Sequence, residues 1–226
     1  KDIGSLPDRS VLEAITRLPG VSIERFAAAN DPDHYGVEGS GVVVRGLTHT
    51  RSEFNGRDTF TADSGRGLSF QDVPPELMGS VELFKNQSAD MIEGGIAGTV
   101  NLVTRKPFDA DGRVIAFTLD GTYSEFADET TPSFSGLYSD IFDLDNGRLG
   151  VLVNYSNSKL KAQSDGTQIG RYEEQNELVN GQAVFVPRTT RLTRKEDDRD
   201  REGFAGALQF ENESKTLLAT AQFIRS

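Results

Sequence analysis

The chain has 226 residues, and its 24 Lys and Arg against 35 Asp and Glu give a formal net charge of −11. The deficit is shared, −4 up to Pro107 and −7 beyond it, so neither part carries the basic footprint of a nucleic-acid binder. Cysteine is absent, which excludes disulfides and thiolate metal sites, and no apolar run approaches the roughly 18 residues of a membrane-spanning helix.

Ser10-Val11-Leu12-Glu13 has capping-box spacing. Val11, Ile15 and Leu18 follow at helical intervals with Gly20 as the stop, so a helix is expected over 10–18. Val21 to Phe26 reads as a short strand, and Ala27 to Gly41, rich in Asn, Asp and Gly, as a loop. Val42-Val43-Val44 is a buried-type strand, and Asn55-Gly56 carries a hairpin-turn signal. Val73-Pro74-Pro75-Glu76-Leu77 reads as a single helical turn, with proline at its start and an acid at its positive end. Strands are expected again near Val81 and Val100, on either side of a polar turn and the glycines Gly94, Gly95 and Gly98. Glycines so close to a strand imply a tight backbone approach or a bend.

From Asp109 onward the pattern changes to period two. Ile115, Phe117, Leu119 and Tyr123 share one face of the first run, and Thr118, Asp120 and Thr122 the other. Runs over 133–144, 149–156, 204–210 and 217–223 alternate in the same way. These are five strands with one apolar and one mostly polar face, the signature of a barrel wall. Asp145-Asn146-Gly147 and Asn212 to Lys215 are tight turns, whereas Glu125–Pro132 is longer and Lys159–Arg201 much the longest connection. Short and long ends alternate as periplasmic turns and extracellular loops do in bacterial barrels. Five strands leave two edges, and plugged barrels use about 22, so most of such a wall is expected beyond Ser226. No signal peptide opens the chain, which reads as a mature or excised piece.

The stretch from Val81-Glu82 through Gly94-Gly95, Gly98 and Asn101 to Thr104-Arg105-Lys106-Pro107 resembles, in register, the end of the plug domain of TonB-dependent outer-membrane transporters. Leu6-Pro7-Asp8-Arg9-Ser10-Val11 with Leu18-Pro19-Gly20-Val21 is similar to that family's opening helix and turn, and Val44-Arg45-Gly46 to its following strand. Asn55-Gly56 stands where many members have Asp-Gly. This departure, with Ser88–Gly95 and Thr104–Asp109, resembles a subgroup linked to carbohydrate uptake. The resemblance implies an α+β plug domain over 1–108, followed over 109–226 by the N-terminal part of an antiparallel transmembrane β-barrel of about five strands. It implies TonB-driven uptake across the bacterial outer membrane, with outer-membrane lipid around the wall, no catalysis and no cofactor. The TonB complex would be the partner, engaged through a box upstream of Lys1. The ligand would be an oligosaccharide, with a ferric siderophore as the alternative. A secreted or surface β-rich adhesion module is the reading from a different class, with the same strands closed into a sandwich.

The remaining chemistry is sparse. His34 and His49 have no spacing for a shared metal, and no Gly-x-Ser-x-Gly elbow is present. Asp109-Ala110-Asp111-Gly112 lacks the further ligands of a calcium loop. Arg194 to Glu202 mixes signs without apolar periodicity and reads as a solvated loop base or a ligand- or ion-binding segment. By resemblance, three plug loops face outward and touch the ligand. Their candidates are Asn30, Asp31, Asp33, His34 and Tyr35, then Asp63, Ser64 and Arg66, then Asn86, Gln87 and Asp90. Such groups suit sugars: amides, carboxylates and guanidinium for hydroxyls, rings for C–H faces. Arg45, Gly46, Glu82, Gly94, Gly95 and Gly98 are expected to hold the plug's own structure.

Overall fold

A computed structural model describes residues 10–28, 31–36, 38–58, 70, 73–179 and 182–225, with backbone alone for the parts within 26–35 and 176–182. Helix α1 (Val11–Ile15) begins where expected, with the Ser10 Oγ accepting the Glu13 N–H at 3.4 Å. It ends three residues short of Leu18, which precedes Pro19 and is thereby disfavoured from helical conformation. Val11, Leu12 and Ile15 are its buried stripe.

Strands β1 (Val21–Glu24) and β4 (Gly41–Val44) pair antiparallel, from Val21 opposite Val44 to Glu24 opposite Gly41. The expected loop between them instead holds a hairpin of β2 (Phe26–Ala28) and β3 (Asp31–Tyr35). Its Asn, Asp and Gly composition signals turns, and the backbone pairing leaves no trace in side-chain type. A second sheet is built from β5 (Thr50–Phe54), β6 (Arg57–Asp58), β7 (Met78–Phe84) and β8 (Gly98–Thr104), in the order β6-β5-β8-β7. The expected Asn55-Gly56 turn joins β5 to β6, with φ of 51° and 73°. Pro75–Leu77 forms the expected single turn. Val11, Leu12, Ile15, Val42, Val44, Leu77, Met78, Val100 and Leu102 make one buried core.

The five alternating runs form one antiparallel sheet. Its members are β9 (Val114–Ser124), β10 (Glu129–Leu144), β11 (Gly147–Ile169), then, past a separate hairpin of β12 (Tyr172–Val179) and β13 (Gln182–Pro187), β14 (Thr190–Asn212) and β15 (Leu218–Arg225). The order is β15-β14-β11-β10-β9, so β9 and β15 are open edges among the described residues. Two connections differ from expectation. The β9–β10 turn takes only 125–128, because β10 starts at Glu129 and accommodates Pro132 where it pairs with β9 alone. Lys159–Arg201 is mostly strand: β11 and β14 stay paired without a register shift up to Ile169 opposite Thr190.

One face of this sheet packs on the first domain. Ala205 belongs to its core, and a side chain at Gly203 would collide with Pro74 and Leu77. The other face exposes Ile115, Phe117, Leu119, Phe134, Tyr138, Val153, Leu208 and Phe223. The outward set expected from the alternation is therefore outward, and Asn154, on the opposite parity, is buried inside. On β11 the outward positions change from Leu149, Val151, Val153 and Tyr155 to Asn157, Lys159 and Lys161. The ten residues from Gly147 to Asn157 rise about 33 Å along the strand. Tilted by about 40°, that is close to the 25 Å apolar band of an outer-membrane barrel. Phe134 and Tyr155 meet at its upper rim, ring centroids 5.9 Å apart.

Candidate functional site

The seam between the two domains combines apolar contacts at Ala205, Gly150 and Gly203 with hydrogen bonds at several levels. At the turn end, the Phe108 N–H donates to Gln209 Oε1 at 2.9 Å. Arg148 lies 4.6 Å over the Phe108 ring and pairs with Glu211 at 2.7 Å. Higher up, Gln222 donates to Thr104 Oγ1 at 3.1 Å and Asn154 donates to the Glu76 carbonyl at 2.8 Å. Asn154 is almost fully buried, so Asn154→Ala orphans a carbonyl where water is scarce. Loss of about 1–3 kcal/mol is expected, read as earlier release of the first domain in urea. Thr118→Ala, on the same face but exposed, should leave the midpoint unmoved.

Above the apolar band lies the charged part of the seam. Strand alternation sorts the mixed run of β14: Lys195, Asp197, Arg199 and Arg201 point to the inner face, while Arg194, Glu196, Asp198, Asp200 and Glu202 point out. The outward acids meet β11, with Lys159–Asp200 at 3.0 Å and Tyr155 donating to Glu202 at 2.8 Å. Inside, Glu38, only 3% exposed, accepts from Arg199 at 3.2 Å and from Arg201 through the same oxygen. Asp197 bridges Lys195 at 3.1 Å and Arg199 at 3.8 Å.

Glu76 faces this cluster from below. Burial lifts its carboxyl above the ordinary 4.5, and Asp120 pushes the same way, while its own backbone N–H and Arg201 pull it down. A folded value above the unfolded one means that its stabilising contribution is whole below the unfolded value. That contribution is lost as pH rises through the folded one. Glu76→Gln is therefore expected to stabilise the seam relative to wild type at neutral pH, with the two converging in acid. Parallel urea midpoints from pH 4 to 8 would contradict this.

The motif residues form a network inside the first domain. Asn101 donates to Glu82 at 2.9 Å and accepts the Gly56 N–H at 2.8 Å, while Asn55 accepts the Thr104 N–H at 3.0 Å. Arg51, not singled out by the sequence, donates to Glu53 at 2.8 Å and to the Glu93 carbonyl at 3.3 Å, and also pairs with Asp58. Gly94 and Gly95 close around it, while Gly98 abuts the Phe84 carbonyl. Arg45 holds a left-handed φ of 54° beside Gly46, its N–H donating to the Gly20 carbonyl at 2.9 Å.

The proposed ligand residues divide. Asn30, Asp63, Ser64 and Arg66 lie outside the described residues. Asp31, Asp33, His34 and Tyr35 lie on β3, which packs beside β11. Asn86 and Gln87 are at the other end of the β1–β4 ladder, where Asn86 accepts from Arg45 at 3.3 Å and Gln87 donates to the Gly95 carbonyl at 2.9 Å. Asp90 is fully exposed, and hydrogen bonding from Ser88 lowers its pKa. Glu38 escaped sequence reading, while Arg199 and Arg201 fall in the mixed-sign run Arg194 to Glu202 that was read as a solvated loop base or a ligand- or ion-binding segment.

A two-faced antiparallel sheet with a mixed domain packed on one side is consistent with part of a plugged barrel, and the sheet is not closed. The family model of the TonB-dependent Receptor Plug Domain matches residues 1–99. That family resides in the bacterial outer membrane and serves transport rather than catalysis. No curated protein and no solved structure matches the chain.

Proposed function

We propose that residues 1–108 are the plug and 109–226 the first five wall strands of a TonB-dependent receptor that imports an oligosaccharide. The observation that carries the reading is the polarity of the five-stranded sheet. Its inner face is hydrogen-bonded to the matched plug domain, and its outer face carries an apolar band of bilayer height, interrupted on β10 by Asp140, which pairs with Arg113 at 2.7 Å and accepts from Tyr138 at 3.1 Å. A closed sandwich adhesion module would bury that face against a second sheet. TonB, pulling from the periplasm, displaces the plug, which has no nucleotide chemistry of its own to do so. The choice of oligosaccharide rests on the likeness of Ser88–Gly95 and Thr104–Asp109 to receptors linked with carbohydrate uptake, and the ferric siderophore is its competitor.

Ligand contact falls to β3 and the segment around Asp63 to Arg66. Asp33→Ala, Tyr35→Ala and Arg66→Ala together are expected to lower ligand affinity at least tenfold. Each polar contact contributes about 0.5–1.5 kcal/mol, more if charged, and about 1.4 kcal/mol is a factor of ten. Cells bearing wild type or the triple variant at equal surface levels are compared for uptake of labelled oligosaccharides and ferric siderophores, with and without TonB. Uptake indifferent to TonB refutes the transport reading. Uptake of the siderophore alone refutes the oligosaccharide.

A further inference from the structure

We infer that the inner wall carries an anion site, Arg199 with Arg201, which Glu38 of the plug occupies in the resting state, and that the imported ligand bears carboxylate or sulfate groups that compete for it. The inference rests on the receptor reading above. Three observations carry it. First, strand alternation concentrates base on the inner face in a chain whose net charge is −11: Lys195, Arg199 and Arg201 there face Asp197, while four acids of the same segment are sent outside. Second, the two arginines stand at successive inward positions and converge on one oxygen of Glu38. Its other oxygen, Oε1, is buried and finds no hydrogen-bond partner among the described residues. This carboxylate is held one-sidedly, whereas guanidinium groups bind best when both oxygens of an anion are engaged. Third, the site lies above the apolar band, where β3 packs beside β11, and the Arg199 side chain keeps a 24% exposed path to solvent.

The consequence for gating is local. Glu38 sits in the short connection between β3 and β4, next to Ser40, whose N–H donates to the Glu24 carbonyl at 2.9 Å. An anion that takes both arginines leaves Glu38 buried without a partner, a strongly unfavourable state. The connection must then move out, and β3 with it. Anion binding and release of the plug apex become one event.

The test uses the full receptor in detergent. The probes are a uronic-acid tetrasaccharide, a sulfated tetrasaccharide and the carboxyl-reduced, neutral counterpart of the first. Wild type is expected to bind at least one anionic probe and not the neutral one. Which of the two binds separates carboxylate from sulfate. Glu38→Gln removes the internal competitor and should bind that probe at least about tenfold tighter, since charge-assisted bonds exceed the 1.4 kcal/mol that makes a factor of ten. Arg199→Gln and Arg201→Gln should abolish binding, and amide exchange at Gly36 and Ser40 should quicken when the probe is bound to wild type. A purely structural clasp predicts that Glu38→Gln weakens binding along with the arginine variants, and that result overturns the inference. So does equal binding of the neutral probe, or no binding of either anion by folded Glu38→Gln protein. None of these readouts involves TonB. Anion binding that persists without TonB-dependent uptake counts against the receptor reading alone.

Discussion

Leu208→Arg is expected to destabilise the inserted sheet by about 2–4 kcal/mol, the cost of a cation on the lipid face at mid-bilayer. Leu208 is half exposed on the outer face, opposite Val151 and Ala221, and lies near the middle of the band between Gly147 and Asn157. An arginine there has no inward route, since the opposite parity is filled by Leu152, Ala205 and Ala207, all buried. It must snorkel or thin the bilayer. Asn157→Arg, two positions above Tyr155, is the control, because the cost falls to about 0–1 kcal/mol near the interface. Urea unfolding of the full receptor from lipid vesicles measures both. Equal costs at 208 and 157 would mean that this face meets water or protein rather than lipid.

Gly98→Ala is expected to destabilise the plug by about 2–6 kcal/mol. Two penalties add: about 1–3 for a backbone region that side chains avoid and about 1–3 for overpacking. Gly98 opens β8 with φ of 145°, and a Cβ there would lie 2.6 Å from the Phe84 carbonyl oxygen. Neither partner can yield, since Phe84 opposes Thr99 in the β7–β8 ladder. Gly95→Ala should be comparably damaging, with its Cβ 2.3 Å from the Gly98 carbonyl oxygen and 2.9 Å from the Arg51 backbone. Gly112→Ala, with open space around it, should be silent. Amide exchange of Val100 and Leu102 reports plug stability directly, and protection unchanged in Gly98→Ala would refute the steric account.

The sequence disclosed whatever leaves a periodic or turn-specific mark. Ser10 with Glu13 marked the start of α1, Asn55-Gly56 marked its turn, and the odd-numbered apolar residues of β9 and β11 marked the exposed apolar side. Illegible were the strands whose sequence lacks an apolar–polar alternation. β2 and β3 looked like a loop because they are only three and five residues long and β3 opens with the turn formers Asp31, Pro32 and Asp33. The upper halves of β11 and β14 looked like one because their outward residues turn polar and charged above Tyr155. The family wording around Glu82 and Asn101 pointed to structure, and the Asn101 hydrogen bonds supply the reason. The seam between plug and wall was beyond reach: Glu38 and Arg201 are 163 positions apart, and only the barrel's register makes them neighbours.

Two glycines on the inner wall act as notches in a lock face. At Gly150 a Cβ would meet Pro107 at 2.5 Å and Phe108 at 2.7 Å, and at Gly203 it would meet Pro74 at 2.8 Å and Leu77 at 2.9 Å. They sit at levels six residues apart, about 20 Å along the wall. The plug is thus indexed to the barrel at two heights. Sliding towards the turn end would drive Phe108 over Arg148 and Leu77 over Ala205, the next inward side chains in that direction. A rigid piston motion meets both obstructions at once, whereas unravelling lifts the bolts one after the other. If the proposed receptor is pulled from the turn end, these two notches favour undoing the plug over drawing it out whole.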